Sequence, residues 1–257
     1  MIGLLVSISV LLILSACDIQ YILENIPGLG TIKGTGTLTV RGSGNIITED
    51  RSVSNFNSIS MSGSGEIIIT QDDEESLTVE VDDNIMQYII TEVKGKTLHL
   101  GFDTSKFKSV SPSRQVKYNL KLKDLIGLTV SGSGKVESES IETDDLDIKI
   151  SGSGDVKIDS LTAEKLDVDI KGSGDFNLAG EVNSQDINIS GSGNYNAGDL
   201  QSETVKLNIS GSGNATVWAT ELFDVRVSGS GNANYYGKPT VNSSISGSGK
   251  INSLGEK

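Results

Sequence analysis

The sequence predicts an all-β fold: a single-stranded parallel β-helix of about 18–21 residues per turn with Gly-Ser-Gly corners. An antiparallel β segment is expected near its N-terminal half. Three observations carry this reading. The tripeptide Gly-Ser-Gly occurs nine times, with first glycines at Gly42, Gly63, Gly132, Gly152, Gly172, Gly191, Gly211, Gly229 and Gly247. The gaps are 21, 69, 20, 20, 19, 20, 18 and 18 residues, and a fixed turn recurring near 20 residues marks a solenoid. Second, the residues two and four places before the first glycine are apolar, as in Ile150/Ile148, Ile170/Val168, Ile189/Ile187 and Ile209/Leu207. Polar residues stand between them (Lys149, Asp169, Asn188, Asn208), which is the alternation of a strand with one buried face. Only Ser243, beside Ile245, breaks this series. Third, a second short strand follows each corner, with inward pairs such as Val156/Ile158, Phe176/Leu178, Tyr195/Ala197, Ala215/Val217 and Ala233/Tyr235. Large pairs beside small ones suit a stacked core of fixed cross-section.

The corner has a physical cause. Glycines on both sides of a serine let the chain take positive φ where a Cβ would clash. The Asn or Asp that follows also tolerates left-handed geometry and can bond its own backbone. Stacked at about 4.8 Å, the corner serines are placed to form a hydroxyl ladder. The crossover rule predicts a right-handed coil.

In chain order, residues 1–16 carry no charge and eleven of them are Ile, Leu, Val or Met. Sixteen residues fall short of the ~20 that a membrane span needs. An apolar run ending in small residues reads as a signal peptide. Leu14-Ser15-Ala16-Cys17 resembles the lipobox of bacterial lipoproteins, in which the cysteine becomes lipidated. That resemblance implies a membrane attachment at Cys17, although no Lys or Arg precedes the apolar run. An ordinary signal peptide or a membrane anchor is the other reading. Cys17 is the only cysteine, so no disulfide can form within the chain. The net charge of −13 lies beyond the leader and argues against nucleic acid, which needs a basic footprint.

Residues 17–35 read as a tether, broken by Pro27-Gly28 and Gly30. Residues 36–131 form an N-terminal β segment: two solenoid-like turns around Gly42 and Gly63, then strands at 66–70, 76–81, 89–93, 97–102, 115–122 and 125–130. Val93 to Thr97 is a tight hairpin, and Asp82-Asp83-Asn84 starts a short helix. Residues 104–114 are expected as a loop. Residues 132–257 are the unbroken repetitive β-helix. Its open C-terminal edge is a pairing hazard that Lys250, Glu256 and Lys257 blunt.

The phrase Phe56-Asn57-Ser58-Ile59-Ser60-Met61-Ser62-Gly63-Ser64-Gly65, with Ile67 to Gln71, Val79 to Asn84 and Gly95 to Leu98, leads into the Gly-Ser-Gly array. This arrangement resembles the autotransporter-adhesin head, or GIN, domain family over most of residues 40–257. The resemblance implies an extracytoplasmic β-helical domain and supplies no catalytic residues.

Candidate chemistry is sparse. His99, the only histidine, lies between Leu98 and Leu100 on the outward face, so no triad is available and a metal would need carboxylates. The glycine turns match no phosphate-loop pattern. Asp147, Asp167, Asp186, Lys206 and Asp224 fall in one column five residues before the corner. Stacked carboxylates invite calcium; a solvated face is the blander reading, and no cofactor is expected. Trp218 and Tyr236 stand one period apart and both point outward, as a platform for the apolar face of a sugar or as cover for a corner. A glycan-active enzyme would need an acid/base pair at defined separation, and no residue set breaks the repeat to make one. The expectation is therefore a non-enzymatic envelope lipoprotein that binds a surface glycan or protein. A structural scaffold is the alternative, and a polysaccharide-active enzyme stands third.

Overall fold

Alternating columns of apolar residues become strands that share one core in the computed structural model, which describes residues 39–103, 105 and 109–257. The leader, the tether and Cys17 lie outside the described residues. The N-terminal part runs β1 (Thr39–Arg41), β2 (Ile46–Arg51), β3 (Ser58–Gly63), β4 (Glu66–Gln71), β5 (Ser76–Asp82), a 3-10 turn at Met86–Tyr88, β6 (Ile89–Lys94), β7 (Thr97–Phe102), β8 (Ser109–Ser111) and β9 (Lys117–Leu122). The repeats supply β10 (Gly127–Gly132), β11 (Lys135–Ser138), β12 (Ile141–Gly152), β13 (Asp155–Gly172), β14 (Asp175–Gly191), β15 (Asn194–Gly211), β16 (Asn214–Gly229), β17 (Asn232–Tyr236), β18 (Thr240–Gly247) and β19 (Lys250–Gly255).

Each repeat lies parallel on the next, with Gly132, Gly152, Gly172, Gly191, Gly211, Gly229 and Gly247 stacked in one column. β13 and its neighbours bend round the core as continuous strands. The β13 turn buries Val156, Ile158, Leu161, Ala163, Leu166, Val168 and Ile170. Large side chains and small ones share a column as successive groups: Phe176 and Tyr195 touch with ring centroids 5.9 Å apart, and Tyr195 then faces Ala215, which faces Ala233. The Tyr195 hydroxyl donates to Gln185 Oε1 at 2.5 Å, and Gln185 Nε2 donates to Ser202 Oγ, so these buried polar groups satisfy one another.

The two corner glycines serve different needs. From Gly132 onward the first glycine has φ between +123° and +133°. A Cβ on Gly172 would also lie 2.1 Å from the Gly152 carbonyl oxygen. The second glycine is outside the left-handed region, but a Cβ on Gly174 would lie 2.2 Å from the Gly154 carbonyl. It is glycine because one turn sits directly on the next. Corners are stitched by backbone, the Ser173 N–H donating to the Gly152 carbonyl at 2.8 Å. The side-chain ladder runs one residue beyond the corner, and through asparagine: Asn194 to Asp175 (2.8 Å), Asn214 to Asn194 (3.1 Å) and Asn232 to Asn214 (2.9 Å). These residues are extended, not left-handed. Their amides reach the neighbouring turn because the strand has already begun.

The long lapse between Gly63 and Gly132 does not interrupt the stack. Gly63 faces Gly132 and Ile67 faces Val136 in parallel register. On their other side, β3 and β4 carry β7 and β9, also parallel. The insert thus supplies a rung that follows β3 and β4 in sequence but precedes them in space. β6 pairs antiparallel with β7, β5 with β9, and β2 with β5, closing this end. The antiparallel segment is both set into the stack and its cap.

Gly42 does not open a solenoid turn. β1 pairs with β8, inside the stretch expected to be loop. The tripeptide at residues 42–44 instead docks on Asp82-Asp83-Asn84. The fully buried Asp82 carboxylate accepts the Gly44 N–H (2.7 Å), the Ser113 N–H (2.9 Å) and the Ser113 hydroxyl (2.5 Å). A Cβ on Gly42 would fall 2.4 Å from that carboxylate. Asp83 accepts the Ser43 hydroxyl at 2.5 Å, and Asn84 Oδ1 accepts the Ser43 N–H at 2.9 Å. With these side chains committed to the clasp, the expected helix is a single 3-10 turn that buries Ile85 and Met86.

Candidate functional site

The site arises from a change of period. Gly191 to Gly211 spans 20 residues, and the next two repeats span 18 each. The surplus is a β-bulge: Ala197 pairs with Val217 and Gln201 with Trp218, so residues 198–200 have no partner on β16. Leu200 turns into the core, while Gly198 and the exposed Asp199 stand out as a ledge. Bulges of this kind re-aim side chains at the surface.

Trp218 and Tyr236 line the step above that ledge. They pair in register on adjacent turns and are half-buried, so the structure brings the two expected residues together. A Cβ on Gly198 would lie 3.1 Å from Tyr236 Cε2; glycine there lets the ring lie against the ledge. In the turn beyond, Gly255 faces Tyr236, and the Lys257 side chain folds back across both rings. Its ammonium is 5.3 Å from the Trp218 ring centroid and 5.2 Å from that of Tyr236. It also donates to the Gly198 carbonyl and pairs with the Asp199 carboxylate. A hollow of about 450 Å³ opens beside this cluster, with Asp159, Asn177, Asn196 and Thr216 in its wall.

The strand pattern of the sequence does not single out Asp199 and gives Lys257 only an edge role. The available signal was the fall from 20 to 18 residues across Gly198-Asp199.

The acidic column forms in the expected register, and each carboxylate has a cationic neighbour: Asp147 has Lys149, Asp167 has Lys165 (2.6 Å), Asp186 has Lys206 (2.6 Å) and Asp224 has Arg226 (3.4 Å). Among the described residues, no three His, Cys, Asp or Glu side chains converge as a metal site would require. His99 is half-buried on the outer face between Ser60 and Glu92. A larger hollow, about 1050 Å³, lies along the bend after β11 and is rimmed by Asp124, Glu142, Asp145 and Glu164. Gln71 braces it by bonding the Glu142 N–H and carbonyl.

A family model described as "Putative auto-transporter adhesin, head GIN domain" matches residues 55–239. A crystal structure named as a "putative adhesin" from Bacteroides fragilis NCTC 9343 is 35% identical with a TM-score of 0.78, covering 84% of this chain and 100% of that one. One named as a "Putative lipid binding protein" from Parabacteroides distasonis ATCC 8503 is 29% identical with a TM-score of 0.71 and the same coverage. A "putative adhesin" from that organism is 26% identical with a TM-score of 0.67, again over 84% and 100%. No curated protein matches the sequence.

Proposed function

The chain belongs to the family described as "putative auto-transporter adhesin, head GIN domain", and on that premise we propose that it is a non-enzymatic binding module of the bacterial envelope that holds a surface glycan. The Trp218/Tyr236 step carries this reading. Two aromatic faces one strand spacing apart offer stacking area to a sugar's apolar face, and the amide and hydroxyl wall of Asn177, Asn196 and Thr216 offers hydrogen bonds to its hydroxyls. That polar wall favours a hydroxyl-bearing ligand over an acyl chain. Saturable binding on a panel of envelope polysaccharides should fall at least about tenfold in the Trp218→Ala, Tyr236→Ala double variant. A folded protein that binds nothing on the panel sinks the reading.

Cys17 is the proposed lipid attachment, resting on Leu14 to Cys17 after the apolar leader. Fatty-acid labelling that persists in Cys17→Ser would refute it. A second reading, a scaffold that self-associates, is favoured by one observation. Among the described residues, β18 and β19 pair only on their inner sides, and they expose Ile245 and Leu254. Sedimentation that is independent of concentration would remove it.

A further inference from the structure

Lys257 occupies the aromatic step as a ligand would, and its contacts define what the step accepts. An alkylammonium group there meets two ring faces, a backbone carbonyl and a carboxylate. Ring faces attract cations through their quadrupole, and a carbonyl with a carboxylate completes the donor–acceptor match for an –NH3+ group. A neutral hydroxyl in the same place would forgo both the attraction of the ring faces and the ion pair with Asp199. The bulge that creates the ledge places both polar partners, since Gly198 and Asp199 are the surplus residues of the wider turn. The adjoining hollow is far wider than a lysine stem and is walled by Asp159, Asn177, Asn196 and Thr216.

We propose that Trp218, Tyr236, Asp199 and the Gly198 carbonyl form a cation cage for the free amino group of an amino sugar, with Lys257 as the built-in occupant that the ligand displaces. This deepens the glycan-binding reading and rests on it. The amine takes the place of the Lys257 ammonium, and the sugar ring extends into the hollow over the row of amides. Binding is an exchange of one cation for another, so Lys257 sets the affinity by competing.

Trp218 is the only tryptophan in the sequence, so its fluorescence reports the cage directly. The full chain in detergent micelles is titrated with a glucosamine trimer and with its N-acetylated, neutral counterpart. The glucosamine trimer should bind at least about tenfold more tightly. Lys257→Gln should strengthen its binding by about three- to tenfold, and Asp199→Asn added to Lys257→Gln, where no built-in competitor shares the carboxylate, should weaken it by a similar factor. Circular dichroism confirms that each variant is folded. Equal binding of the two trimers overturns the cation cage and leaves the glycan reading standing. A folded Lys257→Gln variant that binds neither trimer, nor anything on the polysaccharide panel, overturns both. Tighter binding of a lysine-rich peptide than of the glucosamine trimer also overturns the amino-sugar assignment and points to a protein ligand.

Discussion

One methyl group at a corner separates two kinds of glycine. Gly172→Ala forces a Cβ onto both a positive φ of +133° and a carbonyl at 2.1 Å, and should cost about 3 kcal/mol in urea unfolding. Ser173→Ala touches only an exposed side chain whose backbone N–H makes the stitch, and should stay within about 0.5 kcal/mol. Equal effects would place the corner's strength in the hydroxyl. In the core, Tyr195→Phe strips Gln185 Oε1 of its donor without opening a cavity and should cost about 1–3 kcal/mol. Burial holds the Tyr195 hydroxyl far above the usual tyrosine range, so it remains a donor at any ordinary pH. The glycine count was legible in the sequence, but the division of labour within each pair was not. Spacing shows that a Cβ is forbidden without showing whether φ or a neighbouring turn forbids it. The asparagines teach a related lesson: their tolerance of left-handed geometry goes unused because the strand begins on them.

Among the elements, the cap is the part that acid should loosen. Burial pushes the Asp82 carboxyl up, but hydrogen bonds from the Ser113 hydroxyl and N–H and the Gly44 N–H more than offset it and hold it below the usual range. A depressed folded value means that the clasp's stabilisation is complete above the ordinary aspartate pKa of about 3.9 and is lost as pH falls through the folded value. Exchange protection of the Gly44 and Ser113 amides should therefore be flat above about pH 5 and drop in strong acid. Asp82→Asn should lower protection at neutral pH and flatten that drop; an unchanged profile would show that the clasp is not what titrates. The strands of the insert were legible, since alternation marks a strand wherever one face is buried. Their neighbours were not, because alternation carries no information on which strand lies alongside. The site divided in the same way. Trp218 and Tyr236 could be paired from one period of spacing, whereas Asp199 and Lys257 meet them only through a mismatch between turns of unequal length.

For the whole molecule, identical corners make the stack modular. Deleting residues 155–174 removes one complete turn and joins Gly154 to Asp175, keeping every column in phase. That variant should fold with β-rich circular dichroism and a reduced melting temperature, while deleting residues 155–164 should abolish folding. Similar behaviour of the two variants would mean that register is not what holds the turns. The route by which β7 and β9 slip beneath β3 and β4 also bears on how fast the chain finds its structure. Past Gly132 each new contact closes about 20 residues, a local search, but joining β3 to β10 closes 69. Loop entropy makes that closure about 1 kcal/mol costlier, roughly sixfold in rate. The insert must also be in place before the rung above it has both neighbours. On a nascent chain the repeats therefore wait for one event, the return of residue 127 to residue 58, after which the remaining turns can wind on in the order they are made.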